Sequence, residues 1–153
     1  WVVTAAHCVS NEDVNHVITP IAAELSPFER APTIDSAVEF LVQVAEVIVH
    51  EEYGNFLNDV ALLRLESPLI LSASIQPIDL PTVDTPADVD VVISGWGRIK
   101  HQGDLPRYLQ YNTLKSITRQ QCEEVIDFGF EGELCLLHQV DNGACNGESG
   151  GPL

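Results

Sequence analysis

Basic residues are scarce in this sequence. Only 7 of the 153 residues are Lys or Arg, against 23 Asp and Glu, so the formal net charge is −16. A chain this acidic lacks the basic stripe that nucleic-acid binding requires, and it disfavours heparin-like partners. Long apolar runs are missing too, since none approaches the roughly 18 residues of a membrane-spanning helix. The composition therefore indicates a globular protein with no nucleic-acid or membrane partner.

Metal-ligand spacing is also absent from the sequence. None of the five histidines belongs to a pattern such as His-Glu-X-X-His, in which two ligands share one face of a helix. They stand at His7, His16, His50, His101 and His138. The sequence therefore predicts no metal site and no cofactor.

Three short segments carry residues that suit acyl-transfer chemistry. They are Thr-Ala-Ala-His-Cys at 4–8, Asn-Asp-Val-Ala-Leu-Leu-Arg-Leu at 58–65 and Gly-Ala-Cys-Asn-Gly-Glu-Ser-Gly-Gly-Pro-Leu at 143–153. A serine hydroxyl becomes a useful nucleophile when an imidazole takes its proton, and the imidazole needs a carboxylate to fix its tautomer. Each residue type alone is common in turns. The three together, in this order, indicate nucleophilic catalysis.

The three segments resemble the triad motifs of trypsin/chymotrypsin-type serine proteases, and the last of them resembles those of insect and other arthropod digestive enzymes. The resemblance implies that His7 is the general base, Asp59 the carboxylate that orients it, and Ser149 the nucleophile. The chain order His, Asp, Ser is that of the chymotrypsin fold. The backbone N–H groups of Gly147 and Ser149 would form the oxyanion hole.

The same resemblance implies a substrate preference. By this resemblance Gly143 would lie at the base of the S1 pocket, and Ala144 and Asn146 would also belong to this pocket. A floor without charge favours apolar or aromatic side chains, as in chymotrypsins and elastases. Asp141, two residues earlier, leaves a preference for basic side chains open as the alternative.

Glu148 departs from the family pattern, which has aspartate before the nucleophile. There the carboxylate pairs with the new N-terminal ammonium after zymogen cleavage. Glutamate keeps the charge but adds a methylene in a close-fitting site, and a small displacement of the oxyanion hole can be costly for catalysis. This departure keeps a second function open, that of a catalytically impaired homologue acting as a binding or regulatory module.

Short apolar segments between turn residues predict strands over 42–49, 60–65, 89–94 and 109–117. Thr118 and Gln121 form a capping box, which predicts one short helix over 119–126. We therefore expect an all-β protein, and the resemblance implies two six-stranded antiparallel Greek-key barrels of the trypsin-like fold. Residues 1–76 would be the remainder of the first barrel, 77–88 the crossing loop and 89–153 part of the second.

The cysteines suit an oxidised, secreted protein. The resemblance implies one internal disulfide, Cys122–Cys135, worth about 3 kcal/mol in the chain-entropy model. It also implies partners outside the chain for Cys8 and Cys145. The alternative is a cytosolic protein with four reduced thiols.

Barrel proteins of this type run to roughly 200–250 residues, so the resemblance implies a peptidase domain incomplete at both ends. We expect the parent to be a secreted, monomeric digestive zymogen of the gut lumen. Its partners would be protein or peptide substrates and protein inhibitors. Residues 1–153 by themselves should be inactive, because unpaired strand edges would be exposed.

Residues 25–40 do not fit the resemblance. They contain two prolines and little alternation, where the family has a strand around an Arg-Ala-Gly-Ser-like core. Codons that encode this segment yield such a core when the reading frame is shifted. We therefore hypothesise two compensating frameshifts that flank residues 25–40, the alternative being a divergent surface loop.

Overall fold

The computed structural model describes residues 1–10, 22–24, 41–55, 57–73, 75–100, 102–126, 132–137 and 149–153. These ranges form strands in two antiparallel sheets, together with one short α-helix, which confirms the predicted all-β class. The strands are β1 Val2–Thr4, β2 Ala22–Glu24, β3 Leu41–Val49, β4 Ala61–Leu65, β5 Asp90–Gly95 and β6 Gln110–Lys115. The departing segment 25–40 lies outside the described residues.

The first sheet has the order β1-β4-β3-β2, so β4 lies between β1 and β3. Strand β4 alternates: Ala61 and Leu63 are buried, while Leu62 and Arg64 face outward. Ala61 and Leu63 pack with Ala6 and Val9 in one apolar cluster. Partly buried side chains complete this cluster: Val2, Val44, Val47, Val49 and Tyr53.

The second sheet pairs β5 with β6 over six residues, from Asp90 opposite Lys115 to Gly95 opposite Gln110. Val91, Ile93 and Leu114 are its buried apolar residues. Strand β5 alternates in the same way as β4, with buried side chains on one face of the sheet and exposed side chains on the other.

The helix, α1, spans Arg119–Glu123 and begins with the predicted capping box between Thr118 and Gln121. It is shorter than the predicted 119–126. The amides of Val125 and Ile126 both donate to the carbonyl of Cys122, so the chain leaves the helix in a tightened last turn. No helix in the described part of the chain has the length and apolar character needed to cross a membrane.

A disulfide joins Cys122 of α1 to Cys135, whose Cα atoms are 6.1 Å apart. The backbone amide of Ile117 donates to the carbonyl of Cys135 at 2.9 Å. The segment after β6 is therefore bonded to residues 132–137 both covalently and through its backbone.

Candidate active site

His7 lies in a single 3₁₀ turn, Ala6–Cys8, directly after β1. The amides of Val9 and Ser10 both donate to the carbonyl of Ala6, at 3.0 and 2.8 Å. Ala6 is fully buried and Val9 nearly so, whereas the imidazole of His7 is exposed. Burial of the residues on either side therefore anchors the turn and leaves the imidazole accessible to a substrate.

Asp59 precedes β4 and is fixed by the residues beside it. Asn58 has a positive φ of 53°, a left-handed conformation that Asn tolerates better than most residues. Its side-chain amide donates to the carbonyl of Glu52 at 3.1 Å. On the other side, the amide of His50 donates to the carbonyl of Val60 at 3.1 Å. Bonds on both sides thus set the position of the carboxylate.

The His7 and Asp59 side chains are in contact although 52 residues separate them. His7 Nδ1 lies 2.6 Å from Asp59 Oδ2, and the backbone N–H of His7 donates to Oδ1 at 2.8 Å. Both carboxylate oxygens therefore bind the same residue. With Nδ1–H donating to the carboxylate, Nε2 is left as the hydrogen-bond acceptor, as a general base requires.

Ser149 lies beside the segment that carries His7. The thiol of Cys8 donates to the carbonyl oxygen of Ser149 at 3.5 Å, and the same sulfur is 3.7 Å from His7 Nε2. The structure thus brings the described end of the third segment, at Ser149 and Gly150, next to the segment of His7, which in turn contacts Asp59. The predicted roles of His7, Asp59 and Ser149 remain predictions.

Several predicted site residues lie outside the described residues. They are the S1 residues Gly143, Ala144 and Asn146, the alternative Asp141, the oxyanion-hole Gly147 and the activation residue Glu148. Cys145, His16, His101 and His138 also lie there. In the ranges that are described, no group of three or more His, Cys, Asp or Glu could hold a metal ion.

Cys8 is the free cysteine among the described residues. Desolvation raises the pKa of its thiol, although part of the side chain is exposed, and the negative charge of Asp59 raises this pKa further. A hydrogen bond with the Thr4 side chain opposes both effects. The thiol therefore stays protonated next to the imidazole at neutral pH.

Sequence reasoning missed three residues that shape this place: Thr4, Asn58 and Gly150. The carbonyl of Glu52 fixes Asn58, and Gly150 follows the candidate nucleophile. All three stand inside the motifs themselves, but only the fold shows that Asn58 contacts Glu52 and that Thr4 faces Gly150.

The trypsin family model matches residues 1–153, and the chain belongs to the trypsin family. It is 44 % identical over 152 residues to Serine protease SP24D of Anopheles gambiae, covering 99 % of this chain and 54 % of that protein. It is 31 % identical to Chymotrypsin-2 of Vespa crabro, covering 100 % of this chain and 67 % of that protein. The chain thus spans about half to two thirds of these curated relatives.

A solved structure shares the fold. Neuropsin, a serine protease from mouse brain, superposes with a TM-score of 0.76 at 26 % identity, covering 98 % of this chain and 65 % of that one. The predicted trypsin-like fold is confirmed by this likeness. In the described residues the sheets are open rather than closed into barrels.

Proposed function

We propose that the protein carrying this chain is a serine endopeptidase. One observation carries the proposal: both oxygens of Asp59 bind His7, at 2.6 and 2.8 Å, while Ser149 lies against the same segment. This arrangement supplies an oriented base beside a candidate nucleophile, which is the requirement for activating a serine hydroxyl.

In this mechanism Nε2 of His7 takes the Ser149 Oγ proton as Oγ attacks the peptide carbonyl. Asp59 stabilises the resulting imidazolium. The backbone N–H groups of Gly147 and Ser149 would hold the oxyanion of the tetrahedral intermediate. His7 then returns the proton to the leaving amine, and water cleaves the acyl-enzyme by the same route in reverse.

We further propose an apolar or aromatic preference in S1, with Gly143 at the floor and Ala144 and Asn146 beside it. One relative is named Chymotrypsin-2 and another Trypsin-1, so the names of the relatives do not favour either specificity. The proposed preference therefore rests on the uncharged Gly143. Glu148 would pair with an activated N-terminus. The division into a first barrel to residue 76, a crossing loop at 77–88 and a second barrel from 89 remains part of this proposal.

The biological setting is proposed on the same basis: a secreted, monomeric enzyme of the gut lumen that digests protein and is bound by protein inhibitors. The relatives' names, chymotrypsin and trypsin among them, support this setting.

The test is an assay of the full-length protein, activated, with peptides carrying Phe, Leu, Ala or Arg at P1. A serine-directed phosphonate is added in parallel, with Ser149→Ala as the matched control. We expect cleavage after Phe or Leu and labelling of Ser149 only. Cleavage confined to Arg would overturn the apolar pocket and point to Asp141.

The second candidate, a protease homologue that only binds, is favoured by Glu148. A folded and correctly cleaved protein that is not labelled would establish it and remove the endopeptidase proposal. Glu148→Asp would then identify the cause, because restored labelling would attribute the defect to the extra methylene.

A further inference from the structure

The turn that carries Ser149 comes closer to the segment that carries His7 than a side chain at position 150 would allow. A Cβ added to Gly150 would overlap the Thr4 hydroxyl. It would also lie 2.9 Å from the backbone nitrogen of Ala5 and 3.4 Å from Cys8 Sγ. Thr4 and Ala5 lead into the 3₁₀ turn of His7, and Cys8 is the last residue of that turn. The two segments therefore lie in contact at Gly150.

The backbone at this point also favours glycine. Gly150 has a φ of +75°, in the left-handed region that residues with a Cβ rarely adopt. A substitution here would thus meet strain in the turn as well as overlap across the contact.

The segment opposite Gly150 has little freedom to move away. Thr4 is paired with Ala61 of the central strand β4, and its side chain hydrogen-bonds to Cys8. Ala5 connects β1 to Ala6, which is fully buried. Because this side is fixed by a sheet and a core, an added methyl group should displace the Ser149 turn rather than the His7 turn.

We propose that Gly150 is a positioning residue that sets the separation of the Ser149 nucleophile from the His7 base. Its bare α-carbon lets the nucleophile turn lie directly on Thr4 and Ala5. The inference rests on the proposed endopeptidase function and deepens it.

The test compares Gly150→Ala with Gly132→Ala in the activated full-length protein. Gly132 is a matched control, since its φ of +92° is also positive but a Cβ there would meet nothing within 4 Å. We expect Gly150→Ala to lower kcat per titrated active site by about 100-fold, with KM changed less than about threefold, because a misplacement near 1 Å has this effect on rate. Gly132→Ala should keep the parent kcat.

A double variant separates positioning from a loss of structure. Thr4→Ala in the Gly150→Ala background removes the nearest overlapping atom, so it should recover about tenfold of the lost kcat by reversing part of the displacement. Thr4→Ala alone supplies the baseline for this comparison.

A parent-like kcat in Gly150→Ala, an equal loss in Gly132→Ala, or no recovery in the double variant would each overturn the inference. If the parent protein itself is not labelled at Ser149, the endopeptidase proposal fails instead. Crystal structures then decide the positioning role separately. A Ser149 turn displaced from Thr4 in Gly150→Ala and returned in the double variant supports it, and an undisplaced turn overturns it.

Discussion

The first sheet and the second sheet differ in the buried groups that stabilise each of them. In the first, Ala6, Val9, Ala61 and Leu63 form an apolar cluster beneath the His7 turn. The second has buried apolar residues of its own, Val91, Ile93 and Leu114, and a buried hydroxyl directly after β6. Ser116, 1 % exposed, donates to the carbonyl of Pro86 at 2.8 Å and accepts from the amide of Val89 at 3.0 Å.

The difference shows how each region keeps distant segments in place. Apolar packing stabilises the first sheet beneath the candidate site. The side chains of His7 and Asp59 therefore do not have to stabilise the sheet and can take part in catalysis. Next to the second sheet, the bonds of Ser116 and the Cys122–Cys135 disulfide add directional and covalent links, and no residue of β5 or β6 is a candidate catalytic group. Variants that weaken one kind of interaction at a time test this contrast.

The largest change in activity is expected when the His7–Asp59 pair above the first sheet is altered. Asp59→Asn keeps the shape of the side chain but favours the wrong tautomer of His7, so kcat should fall by about 10⁴-fold while the protein stays folded. Steady-state kinetics with a peptide substrate measure this. Asp79→Asn, in an exposed loop, is the control and should leave kcat unchanged.

Removing apolar volume from the first sheet should lower the free energy of unfolding. Leu63→Ala empties a buried site and should cost about 2–5 kcal/mol. Leu62→Ala, one residue earlier and 37 % exposed, should cost clearly less. Urea unfolding of both variants measures the difference, and equal losses would contradict the proposed position of the core.

The Ser116 hydroxyl, directly after β6, offers the matching test. Ser116→Ala leaves the Val89 amide and the Pro86 carbonyl without this partner, which should cost about 1–3 kcal/mol. Ser67→Ala, at an exposed position, should be nearly neutral. If Ser116→Ala proved neutral in thermal unfolding, directional bonding would not be what stabilises this region.

The smallest expected effect is a shift in thiol reactivity. Desolvation and the charge of Asp59 raise the pKa of Cys8, so in the 153-residue chain with the Cys122–Cys135 disulfide intact, alkylation of Cys8 should need a higher pH than that of an ordinary thiol. Asp59→Asn removes the charge and should move the midpoint of the rate against pH downward. A midpoint that stays in place, or rises, would show that Asp59 does not act on this thiol.

Much of this fold could be predicted from local patterns. The strands expected over 42–49 and 60–65 correspond to β3 and β4, since alternation and flanking turn residues are properties of neighbouring residues. Strand β1 could not be predicted in this way. It has three residues, and its pairing with β4 depends on a segment nearly 60 positions further along the chain.

The residues of the candidate site also differ in whether the sequence alone can identify them. His7 and Asp59 were found by motif, because their chemistry demands those residue types. The role proposed for Gly150 could not be found so, because it depends on the position of Thr4 across the contact. The predicted helix, 119–126, is longer than α1. Its start has a side-chain capping signal in Thr118, whereas no side chain marks its end.

The register of β1 on β4 has a consequence for how the protein can tolerate insertions and deletions. Thr4 lies opposite Ala61, and the candidate base and its carboxylate stand three and two residues from that pair. A single residue inserted in either short stretch would break the His7–Asp59 contact, whatever its chemical type. Changes in length between Glu52 and Asn58 would only alter loop entropy, provided that the contact between these two residues survives. Variation in length among natural homologues should therefore spare these two short stretches.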